Sequence, residues 1–145
     1  MIAGYLGAGA VILGCFAVTV VRRRLFVVTV RGTSMEPTFR PGDRVLARRV
    51  DLGSVRVGDV VIVGTRAQGA AQEVSDTPWI IKRLAAIPGD PVPRDRFAAL
   101  AQVSESAVPA GKLVVLGDSP RSADSRMHGY YDGNQLAGVV VRKLR

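Results

Sequence analysis

Cysteine and histidine are almost missing from this chain, which has one residue of each, Cys15 and His128. A single cysteine excludes an intrachain disulfide, and one cysteine with one histidine cannot build a Cys/His metal cluster. A Ser-His-Asp triad would have to use His128, which lies beside Gly129 in a segment typical of a turn. The sequence therefore disfavours a metal centre and a histidine-dependent nucleophilic site.

Aromatic residues make up only 6% of the chain, and its 12 acidic residues are outnumbered by 20 Lys and Arg, giving a net charge of +8. Surfaces that bind nucleic acid interleave aromatic with basic residues, and the few aromatic residues here do not. The composition favours a solvated, arginine-rich surface with some attraction to anionic membrane lipid. We expect no nucleic-acid partner.

The segment 2–21 contains no charged side chain. A helix needs about 20 such residues to cross a bilayer, so we predict an N-terminal transmembrane anchor over residues 2–21. A cleaved signal peptide is the alternative, but it would need a positive start and a small-x-small site. Arg22, Arg23 and Arg24 follow the apolar run instead, which favours a retained single-pass anchor in the plasma membrane.

Those three arginines conflict with the expected location of the rest of the chain. The positive-inside rule would leave residues after Arg24 in the cytoplasm, whereas the function inferred below requires the extracytoplasmic face. The rule is statistical, and we expect the catalytic domain outside, with the conflict left open.

After the anchor, the length suits one domain, which we place at residues 25–145. Short runs rich in β-branched residues alternate with glycine-containing turns, which predicts an all-β, mainly antiparallel sandwich or partly closed barrel. A loop is expected at 66–78 and a short helix within 94–107. The predicted strands are Leu25–Arg31, Arg44–Arg49, Val60–Val63, Trp79–Leu84, Leu113–Leu116 and Gly138–Lys143.

Two residues stand out as candidates for chemistry. Ser34 follows a predicted strand in the run Gly-Thr-Ser-Met-Glu-Pro, where most serines only form turns. Lys82 lies within an apolar strand and shares a face with Ile80 and Leu84 by alternation. Burial among apolar neighbours such as Ile80, Leu84 and Val60 would lower the pKa of a lysine and allow it to act as a base. An exposed edge lysine is an equal reading of this run alone.

A third segment, 116–126, is dense in hydroxyl and charged side chains. It is either an exposed polar loop or a group of residues that orients a catalytic pair. From the residues alone both readings stay open.

These blocks, in this order, resemble the signature blocks of the type I signal peptidases. The first is Ser34-Met-Glu-Pro-Thr, the second is Lys82-Arg leading to Pro-Gly-Asp, and the third runs from Gly117-Asp to Ser-Ala-Asp-Ser-Arg126. A Gly-Asp-Val-Val block at 58–61 and Val-Pro-Ala-Gly-Lys at 108–112 also match. With the apolar front end, the resemblance spans nearly the whole chain.

The resemblance implies a serine endopeptidase that cleaves signal peptides from exported preproteins after small-x-small motifs, with Ser34 as nucleophile and Lys82 as general base. It also implies no cofactor and no metal. The residues it assigns around this pair are Ser34 and Gly32 at the oxyanion site, Met35 beside the cleft, Ser122 bonded to the lysine amine, and Asp124 with Arg126 bracing the site.

Three departures accompany the resemblance. Position 32 is glycine where some members carry a hydroxyl residue, Ala86 replaces a common glycine, and the spacing from Gly117 to Ser122 is one residue short. Preproteins and membrane lipid are the expected partners, and the oligomeric state is not predicted.

Other functions compete with this one. A narrow-specificity maturation peptidase of the same family would share every block. A self-cleaving SOS repressor shares the Ser/Lys dyad but would carry a helix-turn-helix, which is not seen here. An inactive, membrane-bound scaffold would be expected to have lost Ser34 or Lys82, and both are present.

Overall fold

The architecture is a seven-stranded antiparallel sheet, seen in a computed structural model that describes residues 24–64 and 79–144. The spatial order is β1-β2-β7-β3-β4-β5-β6, so β7 returns from the chain's end to pair between β2 and β3. The strands are β1 (Leu25–Thr29), β2 (Arg44–Arg48), β3 (Val60–Gly64), β4 (Trp79–Ala86), β5 (Lys112–Leu116), β6 (Tyr131–Asp132) and β7 (Leu136–Leu144).

Helical structure within the described ranges is confined to short pieces. One α-helix, α1 (Ser125–His128), is capped by Asp124, whose side chain accepts a hydrogen bond from the Arg126 backbone N–H. Single 3-10 turns occur at Leu52–Ser54, Ala98–Leu100 and Gly133–Gln135. The all-β, mainly antiparallel prediction is confirmed.

The core is divided by the sheet. On one face, Val61, Val63, Leu84, Leu113 and Val115 form a buried cluster over β3, β4 and β5. On the other face, two clusters lie side by side, one around β1 and β2 and the second over β5 beneath residues 92–108. Alternation of apolar residues along β3 and β4 produces both faces, because successive side chains point to opposite sides of a strand.

The predicted strands agree with the structure to within one or two residues. One short strand and two helical segments differ from the prediction. β6 is only two residues long, too short to leave a pattern. The helix expected within 94–107 is a single 3-10 turn at Ala98–Leu100. The sequence predicted no helix at α1, because four residues after a capping aspartate are too few to show an apolar periodicity.

Two predictions lie outside the described residues, namely the anchor at 2–21 and most of the loop at 66–78. Within 24–64 and 79–144, no helix combines the length and apolar character needed to span a bilayer.

Close strand packing at Gly138 leads to a stability prediction. A Cβ at this position would lie 2.5 Å from the backbone oxygen of Arg48 and 3.0 Å from the Phe26 ring. Because backbone cannot move aside cheaply, we expect Gly138→Ala to lower the free energy of unfolding by about 2 kcal/mol or more. Chemical denaturation measures this. The control is Gly53→Ala, where nothing lies within 4 Å; equal effects of the two would contradict the packing account.

Candidate active site

Ser34 lies in the turn that joins β1 to β2. The ends of this turn are closed by the Val30 N–H donating to Asp43 O at 2.7 Å and the Gly42 N–H donating to Val30 O at 2.9 Å. Met35, only 1% exposed, packs in the core and fixes the turn from below, while Ser34 is half-buried. Ser34 therefore lies at the surface of the turn, and the next residue, Met35, anchors the turn in the core.

Gly32 has a φ of 73°, a left-handed conformation that favours glycine. The glycine noted as a departure is thus required by the backbone that leads into Ser34. Met35 is buried beside Ser34, and its role in lining a substrate cleft stays a prediction.

Lys82 lies in the middle of β4 and is 4% exposed. It shares its face with Ile80 and Leu84, and Val61 is its direct partner across the β3–β4 ladder. The sequence had suggested Val60 as an apolar neighbour; Val60 pairs with Arg83 and lies on the opposite face. The correction follows from register, since one residue's shift reverses the face of a side chain.

A hydrogen bond joins Lys82 to Ser122. The Lys82 Nζ donates to Ser122 Oγ at 2.7 Å, and Ser122 is itself only 6% exposed. A buried lysine is costly unless its amine is hydrogen-bonded, so this contact accounts for the position of the side chain. The reading of Lys82 as an exposed edge residue is therefore wrong.

Gly117 is the point where the three segments meet. A Cβ there would lie 2.0 Å from Ser122 Oγ and 2.6 Å from the Ser34 carbonyl oxygen. The Ser119 N–H donates to that same carbonyl oxygen at 3.0 Å. The backbone of the third segment thus packs directly on Ser34, with Lys82 reached through Ser122.

Asp124 supports this loop from beneath and is fully buried. Its carboxylate accepts from Arg126 Nε at 2.9 Å and Nη2 at 2.7 Å, and from the Gly117 N–H at 2.8 Å. Burial raises the pKa of Asp124, but the hydrogen bonds from Arg126 and Gly117 outweigh it and hold the pKa below its ordinary value. A bidentate arginine–carboxylate pair of this kind is both strong and directional.

The neighbouring Ser125 is also fully buried. Its Oγ accepts from the Val115 N–H at 2.9 Å and so ties the start of α1 to β5.

Sequence reasoning missed a second network, centred on Asp118. Its carboxylate accepts from Arg83 Nε at 2.9 Å and Nη2 at 2.7 Å, and from Thr38 Oγ1 at 2.5 Å. The hydrogen bond from Arg83 lowers the pKa of Asp118. Arg83 also donates to Gly58 O at 3.0 Å, so this network connects four of the five sequence blocks. Strand alternation did contain a sign of this network, because it places the Arg83 side chain on the face of β4 opposite to Lys82.

The described residues hold no group of three or more His, Cys, Asp or Glu that could bind a metal ion. The side chains that could do chemistry at this site are a serine hydroxyl and a buried amine, which is an arrangement suited to nucleophilic catalysis.

Comparison with known proteins identifies the class of enzyme. A family model described as "Signal peptidase, peptidase S26" matches residues 5–100 and 93–144. The chain therefore belongs to this peptidase family, the type I signal peptidases, as its sequence blocks indicated. Membership supports peptidase activity and signal-peptide cleavage in general.

Individual relatives agree with this assignment. The chain is 28% identical over 149 residues to signal peptidase IB of Staphylococcus aureus strain COL, covering 77% of this chain and 73% of the relative. Signal peptidase IB of strain N315 is 27% identical with the same coverage.

The crowding at Gly117 predicts a selective loss of activity. We expect Gly117→Ala to displace Ser122 or the Ser34 backbone and to lower precursor cleavage about 100-fold, because small misplacements in an active site are expensive. Cleavage rate and circular dichroism are measured together, with Gly53→Ala as control. A folded Gly117→Ala variant of normal activity would show that this contact does not position the site.

The Asp124 carboxylate predicts a pH dependence of stability. Because its folded-state pKa lies below the ordinary value of 3.8, its contribution is present above that value and is lost as pH falls through the folded pKa. We expect Asp124→Asn to lower the free energy of unfolding at neutral pH by about 2 to 3 kcal/mol and to weaken the loss of stability on acidification. Urea denaturation across pH measures both.

The matched control is Asp95→Asn, at an exposed position. If Asp124→Asn had no larger effect than Asp95→Asn at neutral pH, the buried carboxylate would not brace this loop.

Proposed function

We propose that the protein is a membrane-anchored serine endopeptidase that removes signal peptides from exported preproteins by a Ser34/Lys82 dyad. The observation that carries this proposal is the buried Lys82 amine, hydrogen-bonded to Ser122 in a loop whose backbone packs on Ser34. Family membership supplies the general reaction, and this arrangement supplies candidates for its nucleophile and base.

In this proposal Lys82 acts as a neutral amine. Burial among apolar residues disfavours the ammonium form, and the hydrogen bond donated to Ser122 directs the amine while its lone pair accepts the Ser34 proton. The Ser34 oxygen attacks the scissile carbonyl, the amine protonates the leaving peptide nitrogen, and an acyl-enzyme forms. Lys82 then activates a water that hydrolyses the ester.

The oxyanion that forms in each step needs a donor. We assign the Ser34 backbone N–H to this role. The neighbouring backbone is well held. The Ser119 N–H donates to the Ser34 carbonyl oxygen, and the positive φ of Gly32 sets the direction in which the chain enters Ser34. Asp124 and Arg126 hold Gly117 and so position Ser122 without touching the substrate.

Substrate selection follows from the same family. Small residues at the −1 and −3 positions of the precursor would fit shallow apolar pockets, and an anchor at residues 2–21 would hold the enzyme where signal peptides emerge. Tethering raises the local concentration of enzyme at that surface.

The test is cleavage of a signal-peptide-bearing precursor by the full chain in detergent or liposomes. We expect Ser34→Ala and Lys82→Met each to lower the rate by about 1,000-fold or more, since nucleophile and base act as a unit. Ser122→Ala should lower it about 10- to 100-fold, the effect of one lost buried hydrogen bond. The exposed Ser104 and Lys143 provide the controls Ser104→Ala and Lys143→Met.

Three results would change the assignment. Cleavage that survives Lys82→Met would mean that another group is the base. Failure of folded wild type on general precursors, with cutting of only a few exported proteins, would indicate a narrow maturation peptidase. Binding of precursors without any cleavage would indicate an inactive scaffold.

A further inference from the structure

The segment that joins β4 to β5 has no part in the proposed reaction and falls between two of the sequence blocks. We call residues 91–107 the β4–β5 segment. Its ends are joined by a β-bridge between Pro91 and Ala107. Within it, the Arg94 guanidinium donates to the Val103 carbonyl oxygen at 3.2 Å. The segment is therefore a closed loop with a defined conformation.

Leu100 is a residue through which this segment contacts α1. It ends the 3-10 turn at Ala98–Leu100 and is only 1% exposed. The turn packs against α1, and a Cβ on Gly129, the C-cap of α1, would lie 3.6 Å from Leu100 Cδ2. The Leu100 side chain therefore fills the space beside Gly129. Because it is almost fully buried, it cannot contact a precursor.

The helix α1 connects this contact to the candidate catalytic residues. At its start, the Asp124 carboxylate accepts from the Gly117 N–H, and the Ser125 Oγ accepts from the Val115 N–H. At its end, the Gly129 N–H donates to Ser125 O at 3.2 Å. A helix of 4 residues is only about 6 Å long and has little stability of its own. Support at Gly129 therefore helps to determine where Asp124 and Ser125 lie.

We propose that Leu100 is a positioning residue of the peptidase, which holds Ser122 on the Lys82 amine by supporting α1. Ser122 lies two residues before the capping Asp124, and its Oγ is 2.7 Å from Lys82 Nζ. A shift of α1 would move Ser122 relative to the amine, and small displacements in an active site are expensive. The inference rests on the proposed function, because it assigns Leu100 a role through the proposed base.

A purely structural role for Leu100 is the alternative. Removing a buried leucine side chain destabilises any core, so lower activity alone would not show positioning. Leu113 provides a matched control, because it is also fully buried but belongs to the cluster on the other face of the sheet. Leu100→Ala and Leu113→Ala remove the same atoms, whereas Leu100→Met keeps the volume of the side chain. If the alanine variants do not fold, Leu100→Val and Leu113→Val give the same contrast.

The first test is precursor cleavage by the full chain at a temperature where circular dichroism shows every variant folded. We expect Leu100→Ala to lower kcat about 10-fold with KM unchanged, because Leu100 acts on Ser122 and does not touch the precursor. Leu113→Ala and Leu100→Met should stay within about twofold of wild type. Equal losses of kcat in Leu100→Ala and Leu113→Ala, or a rise in KM alone, would overturn the proposal.

A double-mutant cycle tests whether Leu100 acts through Ser122. In the Ser122→Ala background, Leu100→Ala should lower kcat by less than about twofold, because the contact that it supports is already lost. Losses that multiply would overturn the role of Leu100 and leave the proposed function in place. A wild-type cleavage rate in Ser122→Ala would instead show that the proposed function assigns Ser122 wrongly, and would overturn this inference with it.

Amide hydrogen exchange provides a measurement that does not depend on peptidase activity. The Gly117 and Ser122 N–H groups are both hydrogen-bonded within the loop after β5, so their exchange rates report how firmly that loop is held. We expect exchange at both amides to be at least about fivefold faster in Leu100→Ala than in Leu113→Ala. Equal rates in the two variants would overturn the proposal, whether or not the wild type cleaves precursors.

Discussion

The hydrogen bond from the Lys82 amine to Ser122 is the contact on which the rest of the site depends. An amine in a nearly dry position on β4 needs a hydrogen-bond partner, and Ser122 provides one. Ser122 reaches the amine because the loop after β5 folds back over the sheet. The positions of Asp124, Arg126 and Ser125 follow from that requirement, since they hold this loop against β5.

The same loop joins the two candidate catalytic segments through Gly117. A side chain there would occupy the space taken by Ser122 and by the Ser34 backbone. The Asp118 network performs a parallel function on the opposite face, where Arg83 and Thr38 hold the loop to β4 and to the turn after Ser34. Adjacent residues on one loop therefore position the site from both sides of the sheet.

Much of the fold was predictable because alternation of apolar residues in β3 and β4 is strong. Ser34, Lys82 and Ser122 were identified from a family resemblance, and alternation independently placed Lys82 between Ile80 and Leu84. The tertiary contacts were not predictable in this way. The close approach at Gly117, the Asp118 network and the face of Val60 depend on register and on how one loop packs, which local sequence does not encode.

The central claim is that the Lys82 amine is the base, and replacing it by a less basic amine tests that claim most directly. Lys82→Cys, alkylated with 2-bromoethylamine, gives a lysine analogue of nearly the same length. Wild type treated with the same reagent is the control, because its Cys15 is alkylated as well. The account predicts that alkylation restores precursor cleavage. It also predicts that the cleavage rate of the alkylated variant increases with pH over a lower pH range than the rate of wild type, because the new amine is less basic. Restored cleavage with an unmoved pH profile, or cleavage by the unalkylated variant, would contradict it.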